Sequence, residues 1–104
     1  MEIIKAGCFS ESGIVEISIP SSVISIEDNA FCWCDELMRV TFAKDSKLEK
    51  IGECCFYWSG IEEIKLPSTL KEVGDGTFND CYSLEKIYVE DGCEASLVNT
   101  SAPY

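Results

Sequence analysis

The chain contains no histidine, only three prolines among its 104 residues, and 8 basic side chains against 19 acidic ones. Without histidine, neither a Ser–His nor a Cys–His nucleophile pair can be assembled, and the commonest metal ligand is missing. A formal net charge of −11 argues against nucleic acid as a partner, since a phosphate backbone is bound by clustered Lys and Arg. It equally disfavours an anionic membrane surface. No apolar run approaches the ~20 residues of a membrane-spanning helix, so no membrane insertion is expected. Phosphate-cradling glycine loops are missing too, and seven glycines with three prolines leave no room for a low-complexity linker. The start, Met1-Glu2-Ile3-Ile4-Lys5, lacks the basic head and apolar stretch of a secretory signal. Read as it stands, the chain is expected in the cytosol, unless it is a piece of something longer.

What is present is a large apolar fraction, 46%, enough for a folded domain, and that fraction is periodic. Phe9, Phe31, Phe56 and Phe78 recur at intervals of 22, 25 and 22 residues. Five positions before each stands an aliphatic: Ile4, Ile26, Ile51 and Val73. After each comes a second column of Ile14, Leu37, Ile61 and Leu84, followed by Ile17, Val40, Ile64 and Ile87, then Ile19, Phe42, Leu66 and Val89. Val23, Leu48 and Leu70 open the next units. Columns in register over the whole chain identify a repeat protein.

Each unit ends in an aliphatic-x-aliphatic step, which places two side chains on one face of a strand and the residue between them on the other. Strands are therefore predicted over Glu16–Ile19, Arg39–Phe42, Glu63–Leu66 and Lys86–Val89, two of them closed by Pro20 and Pro67. Val23–Ile26, Leu48–Ile51 and Leu70–Val73 should be shorter extended pieces forming the opposite wall. The Phe segment between walls is too short for an ordinary helix and should be a turn or a single helical turn. An insertion at Ala43–Lys47 and one extra residue between Phe31 and Leu37 account for the longer interval. One unit cannot bury its apolar face alone, whereas stacked units share a continuous core.

The units Ile26–Phe42 and Val73–Val89, with their connectors Ile19-Pro20-Ser21-Ser22-Val23 and Leu66-Pro67-Ser68-Thr69-Leu70, resemble the BspA-type leucine-rich repeat, roughly I-G-x-x-A-F-x-x-C-x-x-L-x-x-I-x-I-P. The resemblance covers about residues 3 to 93. Ser12 and Ser59 stand where that pattern has cysteine, and Ala43 where it has proline. It implies a mainly β solenoid: a right-handed leucine-rich-repeat coil of about four units of 22–25 residues, with two short strands each. The domain division read from it is residues 1–94 for the repeats and 95–104 for an irregular tail. It also implies a non-enzymatic adhesion or protein-binding role at a cell surface or in a secreted protein, with a protein, matrix, host or carbohydrate ligand and no cofactor.

Seven cysteines invite a disulfide or metal reading. Equivalent positions in adjacent repeats should lie about 4.8 Å apart, within disulfide reach. Yet Cys34 and Cys81 are two repeats apart in their column, and so are Cys8 and Cys55. Cross-column pairing of Cys32 or Cys34 with Cys54 or Cys55 stays open, and the odd count leaves one thiol free. A zinc site from those four sulfurs departs from the usual ligand spacing. Reduced, buried, hydrophobe-like thiols are the expectation, with no metal site.

No catalytic residues are assigned: carboxylates are so abundant that Glu62-Glu63 or Asp35-Glu36 carry no signal. Asp28, Glu53 and Asp75 recur at one position and are expected to accept turn N–H groups rather than to ligate a cation. Two partner surfaces remain. One is the outward side of the strand wall: Glu16, Ser18, Arg39, Thr41, Glu63, Lys65, Lys86 and Tyr88. The other is Trp33 and Trp58, which share a column in adjacent repeats, with Tyr57 and Met38 expected nearby; the competing expectation is a hydrophobic lid over the turns. The apolar start predicts an array fragment or end-to-end self-association, and Asn99-Thr100-Ser101 forms a glycosylation sequon. The functional expectation is a protein-binding or adhesion module, the alternative a spacer segment of a longer solenoid.

Overall fold

The periodic aliphatics become strands, and the phenylalanines become the spine between them. The structure, a computed structural model, describes residues 2–89. The expected boundary at residue 94, Cys93 and the Asn99 sequon lie outside them. Eight short strands alternate among the described residues: β1 (Glu2–Ile4), β2 (Glu16–Ile19), β3 (Val23–Ile26), β4 (Arg39–Phe42), β5 (Lys50–Ile51), β6 (Glu63–Leu66), β7 (Glu72–Val73) and β8 (Lys86–Val89). Four coils result, each running from a back strand through a phenylalanine turn to a front strand.

The back wall is one parallel sheet in the order β1-β3-β5-β7. Two of its strands are shorter than the sequence suggests: β5 and β7 begin at Lys50 and Glu72, and Leu48 and Leu70, though buried, precede them. Their N–H groups donate to Ser46 Oγ at 3.2 Å and to the Pro67 carbonyl at 3.3 Å. The added strand is β1, at the first coil.

The four front strands coincide with those predicted, but the front wall is two parallel pairs, β2-β4 and β6-β8. Their registers, Glu16 opposite Arg39 and Glu63 opposite Lys86, keep the columns aligned. β4 and β6 lie side by side without a ladder. One cause is local: Ala43 N–H continues the first pair by donating to the Ile19 carbonyl at 3.0 Å. The equivalent residue of the next coil is Pro67, which has no N–H to offer Phe42.

The four phenylalanine rings stack along the interior. Centroids are 5.2, 5.3 and 5.9 Å apart with interplanar angles of 7°, 9° and 6°. Phe31 and Phe56 are fully buried, and the surrounding cluster takes in Ile26, Leu37, Leu48, Ile51, Ile61 and Leu66. Such pairs add about 0.5–1.5 kcal/mol beyond the area they bury. Phe9 has a ring neighbour on one side only and is half-buried.

The phenylalanine segment is a run of turns, and among the described residues there is no helix. Two interleaved hydrogen-bond sets explain why. In the second coil, Ala30, Cys32 and Cys34 N–H groups donate three residues back, to Glu27, Asn29 and Phe31. The intervening Asn29, Phe31 and Trp33 N–H groups donate to the next coil, at Glu53, Cys55 and Tyr57, at 2.8–2.9 Å. Every N–H from Asn29 to Cys34 is thereby satisfied, as buried backbone requires. The coils approach so closely that a Cβ on Gly74 would sit 2.4 Å from the Glu53 nitrogen, which excludes any side chain there.

Candidate interaction surfaces

The interleaved pattern requires two left-handed residues per turn. One lies two positions before each phenylalanine (Gly7, Asn29, Cys54 and Gly76), with φ from 53° to 72°. The other lies two positions after it: Glu11, Trp33, Trp58 and Asp80, with φ between 59° and 63°. Left-handed backbone favours glycine and tolerates Asn or Asp; for other residues it costs roughly 1–2 kcal/mol. Two tryptophans therefore occupy positions that local energetics would assign to glycine.

That column carries an aromatic strip on the turn side. Trp33 and Trp58 stack with centroids 4.9 Å apart, inclined by 25°. Tyr57 meets Trp33 edge-on at 5.6 Å, and Tyr82 meets Trp58 edge-on at 5.6 Å. Trp33 is 46% exposed and Tyr82 72%, while Trp58 and Tyr57 are half-buried. Tyr57 thus stands where the sequence put it, and Tyr82 is a member that sequence reasoning missed; its place two residues beyond Asp80 was the available signal. Met38 instead lines a groove with Val15, Asp35, Glu36 and Gly60 at the lower edge of the front wall. Asp80 accepts from the Tyr82 hydroxyl at 3.0 Å. Hydrogen bonding to this carboxylate holds the Tyr57 and Tyr82 phenols above their ordinary value.

Charge is unevenly shared between the sides. Residues 5–15, 27–38, 52–62 and 74–85 contain ten acids: Glu11, Glu27, Asp28, Asp35, Glu36, Glu53, Glu62, Asp75, Asp80 and Glu85. Their single base is Lys5. The other described residues hold six acids (Glu2, Glu16, Asp45, Glu49, Glu63, Glu72) and seven bases (Arg39, Lys44, Lys47, Lys50, Lys65, Lys71, Lys86). Of the ten, Asp35, Glu36, Glu62 and Glu85 border the front wall, and the other six lie in the phenylalanine turns that carry the tryptophans, with Lys5 as their single base. Of the recurring turn carboxylates, Asp28 accepts the Glu53 N–H at 2.7 Å, a structural use within the stack.

The front wall presents Glu16, Ser18, Arg39, Thr41, Glu63, Lys65, Lys86 and Tyr88, all exposed. Several already engage one another: Arg39 reaches Glu16 at 3.4 Å and Ser18 Oγ lies 3.1 Å from Thr41 Oγ1. The unpaired seam between β4 and β6 is lined by Arg39, Thr41, Glu63, Lys65 and Tyr88.

The six described cysteines are free, which decides against the cross-column disulfides left open by spacing. Cys34 Sγ donates to the Phe9 carbonyl at 3.0 Å and Cys81 Sγ to the Phe56 carbonyl at 3.0 Å. Burial pushes the thiols of Cys32, Cys34, Cys55 and Cys81 up, Cys55 far up. These are inert structural thiols. Among the described residues no group of three or more Cys, Asp or Glu is arranged to hold a metal ion.

Stacked coils with a phenylalanine spine and parallel strand walls define a leucine-rich-repeat solenoid. The chain belongs to the BspA type leucine rich repeat family, whose pattern matches residues 2–99 in six copies. Among solved structures it is similar to the pneumococcal vaccine antigen PcpA, at 33% identity and TM-score 0.86 over 88% of this chain and 23% of that one. It is also similar to a leucine-rich repeat protein from Bacteroides capillosus, at 30% identity and TM-score 0.75 over 85% of this chain and 62% of that one. A leucine-rich repeat protein of T. pallidum aligns at 25% identity and TM-score 0.55, over 82% of this chain and 50% of that one. This chain therefore spans less than two thirds of each. No curated protein sequence matches it.

Proposed function

We propose that the chain is a protein-binding or adhesion module of a longer surface protein, and that its contact surface is the aromatic strip around Trp33 and Trp58. The carrying observation is the pairing of strained backbone with exposure at Trp33, stacked on the half-buried Trp58. Residues held where they are conformationally disfavoured, yet open to solvent, mark places where something other than stability selects the side chain. Tryptophan and tyrosine also dominate the energetics of protein interfaces. The likeness to a pneumococcal vaccine antigen supports the setting.

The front wall is the second reading, favoured by its eight exposed side chains and open seam. Its polar groups partly satisfy each other, so a partner gains less there. The experiment is selection of a displayed random-peptide library on the immobilised chain, with counter-screening on two variants. Peptides lost on Trp33→Gly/Trp58→Gly support the strip. Peptides lost only on Arg39→Ala/Lys65→Ala transfer the role to the front wall. Absence of enrichment overturns the binding role and leaves a spacer.

A further inference from the structure

The partner's chemistry follows from what surrounds the strip. The left-handed column reads Glu11, Trp33, Trp58, Asp80 from the first coil to the fourth: an aromatic pair with a carboxylate at each end. One face of Trp33 is covered by Trp58. The other lies on the side of the first coil, whose column member is the exposed Glu11, held by its N–H to the Cys32 carbonyl at 2.9 Å. An indole face beside a carboxylate suits a guanidinium or ammonium group, which the ring quadrupole and the acid attract together. The phenylalanine turns carry Glu11, Glu27, Asp28, Glu53, Asp75 and Asp80 against Lys5 alone, so the long-range field favours the same ligand.

Spacing narrows the choice. Three coil steps of about 4.8 Å separate the two ends of the column, about 14 Å in all. An extended peptide rises about 3.4 Å per residue, so its side chains at i and i+4 span nearly the same length.

We infer that the aromatic strip receives an extended basic peptide segment of a partner protein, lying along the solenoid axis with cationic side chains four residues apart, over Trp33 beside Glu11 and near Asp80. This rests on the proposed binding role of the strip and adds the class of partner.

The test uses three labelled nine-residue Gly/Ser peptides carrying, at positions 3 and 7, arginine, the uncharged isostere citrulline or glutamate, together with a cello-oligosaccharide. Binding is read by fluorescence anisotropy and tryptophan emission. The arginine peptide is expected to bind at least about ten-fold tighter than the citrulline one, and to weaken several-fold as salt rises through the screening range. It should weaken about ten-fold on Glu11→Gln/Asp80→Asn, near-isosteric changes that keep an acceptor for the Tyr82 hydroxyl at position 80, and be lost on Trp33→Gly/Trp58→Gly. Equal binding of the arginine and citrulline peptides, tighter binding of the glutamate peptide or the sugar, or indifference to Glu11→Gln/Asp80→Asn would overturn the inference. Library peptides that need the tryptophans but carry no positive charge would sink the basic partner while leaving the binding module intact. If no selected peptide depends on the tryptophans, the underlying reading itself fails.

Discussion

Cys34 donates its thiol hydrogen to the main-chain carbonyl of Phe9, one coil earlier, across 3.0 Å. The same column holds Ser12, Ser59 and Cys81, and Cys81 repeats the bond to Phe56. The column accommodates a small hydroxyl or thiol alike. Cys34→Ser should therefore stay within about 1 kcal/mol of the parent, while Cys34→Ala, which removes the donor and leaves a void, should lose about 1–2 kcal/mol. Urea midpoints decide; equal losses would mean that the donor contributes nothing.

The buried thiols also set an alkaline limit. Their folded pKa values are raised, so the unfolded chain ionises first as pH climbs. Stability is fully present below the ordinary thiol value of 9.0 and falls above it, until the folded thiols ionise in turn. Cys55 alone contributes a slope of about 1.4 kcal/mol per pH unit in that window. Denaturation midpoints between pH 8 and 11 should show this fall, and Cys55→Ala should make it shallower by about that amount.

Left-handed backbone at Trp33 inverts an ordinary ranking. In most settings glycine is less stable than alanine. Here Trp33→Gly should be more stable than Trp33→Ala by roughly 1 kcal/mol, because alanine keeps the Cβ conflict. Thermal melts of both variants provide the comparison, and the same order is expected at position 58.

Truncating the spine should scale with its stacking. Phe31→Ala and Phe56→Ala remove rings flanked on both sides and should each cost about 3–5 kcal/mol. Phe9→Ala, half-buried and stacked on one side, should cost clearly less. Gly74→Ala belongs with the severe class, since its Cβ would meet the Glu53 nitrogen at 2.4 Å. Failure of that variant to show a cooperative transition is the expected result.

The front strands were legible to the residue, because period-two alternation fixes which side chains face inward, and Pro20 and Pro67 mark two of the ends. The phenylalanine stack was legible from spacing for the same reason: a column in sequence is a column in space. The left-handed turns were less so. Gly7, Asn29 and Gly76 announce one of the two positions, but Glu11, Trp33 and Trp58 give no such sign, since their conformation is imposed by hydrogen bonds between coils. The seam between β4 and β6 depends on a missing donor at Pro67, a tertiary consequence that reading one strand at a time does not reveal. As for the candidate surfaces, the nearness of the tryptophans followed from the repeat. The acid in the turns and a water-facing column were legible too, from the mixed signs along the strand faces and from Glu11 and Asp80 sharing the position. The split between an exposed Trp33 and a half-buried Trp58 required the solenoid to be seen whole.

At the position two places past each phenylalanine, the coil is held to its neighbour through its main-chain N–H, as at Glu11, Trp33 and Trp58, so the side chain there answers to neither the interior nor the ladder. Glutamate, tryptophan, tryptophan and aspartate occupy it in succession. Each coil thus carries one character that can be rewritten alone, and the turn side reads as a short text, one letter per coil, set on type that the text does not alter.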